Sequence, residues 1–153
     1  MTSLSVKGKD EEELRKLSVE MRYLEQTAEA LQQRIGMVNA AMTDITYASS
    51  TLDGLEQEKE NAELLVPIGG GSYIKAKLSS SDKVIIGLGA GVSVEKTLPE
   101  AKTMLKERLD ELKKSSSAAQ QQFSQIAERI NSGRNRLETL LGTMREGKTP
   151  ANV

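Results

Sequence analysis

Two long runs of apolar residues, spaced alternately three and four apart, flank a glycine-rich middle and constrain this chain most. The first run is Leu14, Leu17, Met21, Leu24, Ala28, Leu31, Ile35, Val38, Met42 and Ile45, with Ser49 and Leu52 in the same spacing. The second is Leu105, Leu109, Leu112, Ser116, Ala119, Phe123, Ile126, Ile130, Gly133, Leu137, Leu140 and Met144. Side chains so spaced form one narrow stripe on a helix. A stripe sustained for about five heptads signals a coiled coil, because a helix lying on a globular core rarely passes ~25 residues. Composition agrees. Aromatic residues are 3% and Trp is absent, which suits a thin seam of Leu, Ile, Val, Met and Ala.

Local signals set the expected boundaries. Asp10 with Glu13 three residues on can open the first arm, and Val66-Pro67 cannot continue a helix. That predicts helix 1 over 10–62, roughly 75–80 Å at 1.5 Å per residue. Thr97-Leu98-Pro99-Glu100 is a capping box, with Pro tolerated in the first turn. Gly147 and Pro150 end the second arm, so helix 2 is expected over 97–147. The termini, 1–9 and 148–153, read as flexible.

The middle, 63–96, reads as β-structure. Leu64–Ile68 and Tyr73–Leu78 flank Gly69-Gly70-Gly71-Ser72, and Lys83–Leu88 and Val92–Glu95 flank Gly89-Ala90-Gly91. Each is a hairpin signal. Alternation would set Tyr73, Lys75 and Lys77 on one face, and Ile74, Ala76 and Leu78 on the other. Four short strands cannot close a sheet alone, and open edges are a liability. Pairing with other subunits is the simplest remedy. The expected assembly residues are Val66, Ile68, Ile74, Leu78, Val84, Ile86, Leu88, Val92 and Val94. The fold class is therefore α+β: two long helices in an antiparallel coiled coil, joined by two β-hairpins that build an intersubunit β-barrel.

Several function classes fall away. Gly87-Leu88-Gly89-Ala90-Gly91-Val92 resembles a dinucleotide fingerprint, but the third Gly comes one place early and β-prone Val92-Ser93-Val94 follows where a helix must start. Gly69–Ser72 lacks the Lys of a phosphate-binding loop. No Cys or His is present, which removes thiolate chemistry, the commonest general base and the commonest metal ligand. Glu11 and Glu12 sit in a charge run beside Arg15 and Lys16, where i,i+4 pairing explains them. No enzyme, cofactor or metal is expected. A net charge of −1 with interspersed signs offers no field for nucleic acid or an anionic membrane. No apolar run is long enough to span a bilayer and the N-terminus lacks a signal core, so a cytoplasmic protein is expected.

The two stripes can be laid against each other. One antiparallel register sets Leu52 on Leu109, Ile45 on Ser116, Val38 on Phe123, Leu31 on Ile130, Leu24 on Leu137 and Met21 on Leu140. Sliding one heptad either way keeps the same heptad matching. The first register is preferred because it centres the connection near Ser80. It leaves Ala28 facing Gly133, an under-filled layer.

With arms and hairpins placed, the chain resembles the prefoldin family, of the archaeal alpha type, over roughly Asp10 to Gly147. The most specific residues are Leu65-Val66-Pro67-Ile68-Gly69-Gly70-Gly71-Ser72-Tyr73-Ile74-Lys75-Ala76 and Asp82–Lys96. Two hairpins match the alpha type, the beta type carrying one. The resemblance implies a hexamer of two alpha and four beta subunits, a double β-barrel body and six coiled-coil tentacles. It also implies an ATP-independent chaperone that binds unfolded polypeptides and passes them to a group II chaperonin.

In that layout both chain ends lie at a tentacle tip. Leu14, Leu17 and Met21 on one helix meet Leu137, Leu140, Leu141 and Met144 on the other, with Leu4 and Val6 on a loose tail. These are the expected client-binding residues. Met is suited to varied partners because its thioether side chain repacks easily. The alternative is a coiled-coil scaffold or adaptor without client-holding activity, which explains the arms but leaves the strand edges unexplained.

Overall fold

The computed structural model describes residues 2–80 and 82–148. Helix α1 spans Thr2–Glu56, strands β1 (Glu63–Gly69) and β2 (Ser72–Lys77) form one hairpin, β3 (Lys83–Gly89) and β4 (Val92–Thr97) a second, and helix α2 spans Leu98–Lys148. By packing, the chain divides into two compact units, Met1–Met37 with Ser116–Val153, and Val38–Ser115.

Both ends of α1 differ from expectation. It begins at Thr2 rather than at Asp10, since Thr2–Lys9 holds no Pro and helical pairing can propagate through Gly8. It ends at Glu56 rather than near Ala62. Gln57 N–H donates to the Gly54 carbonyl and Glu58 N–H to that of Leu55, tightening the last turn. Asn61 then adopts a left-handed φ of 68°, a conformation Asn tolerates. Its N–H donates to the Leu78 carbonyl (2.7 Å), and Leu78 N–H donates to that of Ala62 (2.9 Å). Residues 57–62 are thus drawn onto the end of β2 and leave the helix.

In the first unit, Met21, Leu24 and Ile130 are buried together, with Leu17, Ala28, Ile126 and Leu137 packed around them. A Cβ built on Gly133 would collide with the Met21 thioether. Met21 therefore fills the space that Gly133 leaves. That places Leu24 level with Ile130, Leu17 with Leu137 and Ala28 with Ile126. The register is one heptad away from the one preferred on sequence, and the under-filled layer disappears. Flanking charges select the same alignment. Arg136 donates to both carboxylate oxygens of Glu13 (2.8 and 3.1 Å), Arg129 pairs with Glu20 at 2.9 Å, and Arg134 with Glu25 at 3.6 Å. The earlier register would put Thr143 beside Glu13 and Leu141 beside Glu25.

In the second unit the core is Leu52, Ile86, Leu98, Ala101 and Leu105, with Ile45, Ala48, Val84 and Met104 against it. Here β3–β4 lies on the helices through Val84 and Ile86. β4 runs straight into α2, where the capping box forms: Glu100 N–H donates to Thr97 Oγ1 (3.4 Å) and Thr97 N–H to Glu100 Oε2 (3.3 Å). Lys102 bonds both Asp53 (2.9 Å) and Glu56, fastening the end of α1 to the start of α2. In the first unit, Ser116 is buried in the α2 stripe and accepts a hydrogen bond from Gln120 Nε2 at 3.2 Å.

The register generates a prediction. Met21→Cys with Gly133→Cys should form an intrachain disulfide on mild oxidation, whereas Met21→Cys with Leu140→Cys should not, because the bond needs Cα atoms about 4.4–6.8 Å apart. Gly133→Val should cost about 1–3 kcal/mol by overpacking against Met21. Denaturant melts of variant and parent measure it, and an unchanged midpoint would contradict the Met21–Gly133 contact.

Candidate functional site

The two hairpins have the same ladder. Glu63 pairs with Lys77, Leu64 with Ala76, Leu65 with Lys75, Val66 with Ile74 and Pro67 with Tyr73. Lys83 pairs with Thr97, Val84 with Lys96, Ile85 with Glu95, Ile86 with Val94 and Gly87 with Ser93. Each has a bulge just before the turn, at Ile68 and at Leu88. The turns carry positive φ at both central residues, 57° and 73° at Gly70-Gly71, and 53° and 76° at Ala90-Gly91. Such turns match the right-handed strand twist and require residues that tolerate left-handed backbone. The Gly87–Gly91 segment is thus a hairpin rim followed by a strand, not a phosphate-binding turn followed by a helix.

Their surroundings differ. β3–β4 buries one face through Val84, Ile86 and Val94, Ile86 being only 8% exposed. β1–β2 has only Leu64 and Ala76 half-covered, and both of its faces meet solvent. Two-stranded ribbons are marginal without a packed face. Of the residues expected on sequence to make assembly contacts, Val66, Ile68, Ile74, Leu88 and Val92 are exposed, and Leu78 is half-buried. Val84, Ile86 and Val94 instead line the chain's own interior face, so Ile86 is occupied by intrachain packing. Three further apolar residues, Leu65, Tyr73 and Ile85, are exposed at 65%, 60% and 76%. Alternation set Tyr73 on the face of Lys75 and Lys77, and Leu65 and Ile85 were not among the expected contact residues. The signal that marks them is the unbroken apolar character of Leu64-Leu65-Val66 and Val84-Ile85-Ile86, which belongs to strands covered on both faces.

At the other end of the arms, Val6 and Leu141 are exposed, Leu14, Leu17, Leu137 and Met144 are half-buried, and Met21 and Leu140 are sealed in the seam. The Leu4 side chain lies outside the described residues. The heptad shift explains Met21: its partner is Gly133, inside the seam rather than at the tip. Among the described residues, the free apolar surface at the helix ends is therefore Val6 and Leu141, with parts of Leu14, Leu17, Leu137 and Met144.

The electrostatics are those of a fastened coiled coil. Glu12 is taken up by Lys16 at 3.2 Å, the i,i+4 pairing expected of it. Hydrogen bonding to Arg136 holds the Glu13 carboxyl below its ordinary value. Hydrogen bonds to Glu56 and then Asp53 push the Lys102 ammonium up. Among the described residues no cluster of three acidic side chains is set to hold a metal ion, and no helix is long and apolar enough to cross a membrane.

Comparison with known proteins places these features. A family model described as Prefoldin, prefoldin subunit, matches residues 24–142. The chain is 36% identical to the prefoldin subunit alpha of Methanococcoides burtonii over 122 residues, covering 80% of this chain and 88% of that one. It is 34% identical to that of Methanosarcina mazei over 140 residues, covering 90% and 96%. Among solved structures, filamentous PFD from Methanocaldococcus jannaschii, determined by cryo-EM, superposes with a TM-score of 0.63 at 23% identity, covering 72% of this chain and 92% of that one. The prefoldin beta subunit from Thermococcus strain KS-1 superposes at 0.55 with 16% identity, covering 83% and 90%.

The Glu13–Arg136 clasp carries a pH dependence. Because the folded carboxyl lies below its ordinary value of 4.5, its contribution is present above that value and is lost as pH falls through the folded one. Thermal melts of parent and Glu13→Gln should differ at pH 7 and converge in acid. A difference that does not narrow as pH falls below 4.5 would assign the effect to packing rather than charge.

Proposed function

The chain belongs to the prefoldin family, a family of chaperone subunits, and on that premise we propose that it assembles through its hairpins and holds unfolded polypeptides at the free ends of its helices. The β1–β2 ribbon, apolar and exposed on both faces, is the observation that carries the assembly. Leu65, Val66, Ile68, Tyr73 and Ile74 are far more apolar surface than a ribbon of thirteen residues keeps in water without a partner. Its strand edges also offer unpaired backbone groups. The occupants we assign are prefoldin beta-type subunits and a second alpha chain, in a hetero-hexamer of two alpha and four beta. Strands β1 to β4 then close into an intersubunit barrel.

Client capture falls to Val6, Leu141 and Met144, with Leu14, Leu17 and Leu137 reached as the helix ends fray. Leu4 belongs to the same proposal. Met21 and Leu140 join only if the seam opens. Full burial of one such side chain is worth about 1.5–3 kcal/mol before ordering costs, so one tip binds weakly and releases readily. Several tips on one client raise avidity by roughly 10²–10⁴ through effective concentration. Weak single contacts with strong collective holding suit transfer without nucleotide hydrolysis, and the recipient we assign is a group II chaperonin in the cytoplasm.

Two experiments separate the parts. Ile74→Asp with Val66→Asp should abolish assembly in light scattering while the helical circular dichroism survives, since neither side chain supports the seam. An intact hexamer would refute the barrel. Val6→Ser, Leu141→Ser and Met144→Ser together should leave assembly intact and sharply reduce suppression of denatured-client aggregation. Full protection by that variant would remove tip capture, and equal inactivity of the unaltered hexamer would favour a scaffold.

A further inference from the structure

The seam of the first unit closes on one reactive atom. Leu17, Leu24, Ala28, Ile126, Ile130 and Leu137 make up the described core around Met21, and all six carry hydrocarbon side chains. Met21 itself is 5% exposed. Its sulfur occupies the place a Gly133 side chain would take, with its Cγ and Cε each 3.4 Å from where that Cβ would stand. A thioether is the one group in this core that a two-electron oxidant turns polar. Access exists as well. A surface cleft of about 350 Å³ has Met21 and Gly133 in its wall, beside Leu17, Leu24, Arg129 and Ser132. That is ample room for hydrogen peroxide, a molecule little larger than water.

We propose that Met21 is a modification site, at which oxidation of the thioether by a hydroperoxide unlatches the seam of the first unit. The sulfur takes one oxygen atom as the peroxide O–O bond breaks. The sulfur is oxidised, the peroxide is reduced, and hydrogen peroxide leaves as water. The new oxygen then has two places to go. Toward Leu24 and Ile130 it meets no side-chain donor, and an unpaired buried polar group is destabilising. Toward the cleft it approaches the polar wall of Arg129 and Ser132, but this draws the sulfur away from Gly133 and leaves a void. Either way the contact that fixes the alignment is lost. Met37 is 74% exposed and outside this core, so its oxidation has no such consequence and serves as an internal control. The inference concerns the seam itself and stands apart from assembly and client capture.

The test treats the full chain with hydrogen peroxide and counts the oxygen gained at each Met by peptide mass spectrometry. Met37 should oxidise first, with the melting midpoint unchanged. Oxidation of Met21 should then lower the midpoint by about 4 °C or more. Backbone amides over 14–28 and 126–140 should exchange about tenfold faster or more. Met21→Leu, a swap of similar volume, should fold like the parent and hold its midpoint under the same treatment. Methionine sulfoxide reductases should restore the midpoint of the unaltered chain, so the test does not rest on the variant alone. The inference is overturned if Met21 gains no oxygen under prolonged exposure after Met37 is fully oxidised. It is also overturned if midpoint and exchange are unchanged with Met21 oxidised, or if Met21→Leu loses as much as the parent. A midpoint that stays low once Met21 has been reduced again would equally overturn it.

Discussion

The packing of Met21 into the space left by Gly133 is the contact on which the arm's other contacts depend. A heptad stripe specifies that two helices pair, but every layer of Leu on Ile or Ala accepts a neighbour one heptad away at little cost. A residue without a side chain does not. Gly133 in a helix interior costs about 1 kcal/mol against Ala, and only one alignment returns that through a Met side chain filling the gap. From it follow the Glu13, Glu20 and Glu25 ion pairs, the burial of Leu140, and the exposure of Leu141 beside it. Exposed ion pairs of this sort contribute little to stability singly. Their value here is that they agree with the packing about the alignment and would be lost in its rivals.

The hairpins divide a different pair of tasks between two copies of one ladder. β3–β4 is joined to α2 without a loop and lies on Leu52, Leu98 and Leu105, so it is rigid with respect to the start of α2. β1–β2 is joined to α1 through 57–62 and covers almost nothing within the chain. On the proposed reading a partner covers that ribbon, which couples the ordering of the segment to assembly. On the proposed reading, β3–β4 sets the orientation and β1–β2 supplies the contact.

Most of this architecture was legible because periodicity is a strong signal. Ten or more apolar residues in strict spacing leave few alternatives, and two glycine-centred turns between β-branched runs leave few others. The late helix end and the shifted register have one root. Gln57-Glu58-Lys59-Glu60-Asn61-Ala62 contains good helix formers and no Gly or Pro, so local propensity carries α1 through it. The hydrogen bonds from Asn61 to Leu78 and from Leu78 to Ala62 end it, and these are tertiary. Placing the helix end six residues late displaced the centre of the connection from Lys77 to Ser80, and the register moved with it. The functional surfaces were less legible for another reason. Leu65 and Ile85 sit where an alternating strand of a chain considered alone should be polar, so alternation passes over them.

On the proposed reading, the exposed apolar residues serve contact with other proteins. With neither Cys nor His, it has no side chain whose ordinary pKa lies near neutrality, and the shifts that do occur belong to surface clasps. On that same reading, control over binding comes from the number of weak contacts made at once and from the charges around them. The apolar side chains proposed to bind, on the hairpins and at the helix ends, are small surfaces, none of which would hold a partner tightly alone. A molecule that must release what it holds is better served by several such surfaces than by one deep pocket, because each contact can be given up in turn at a cost of a few kcal/mol.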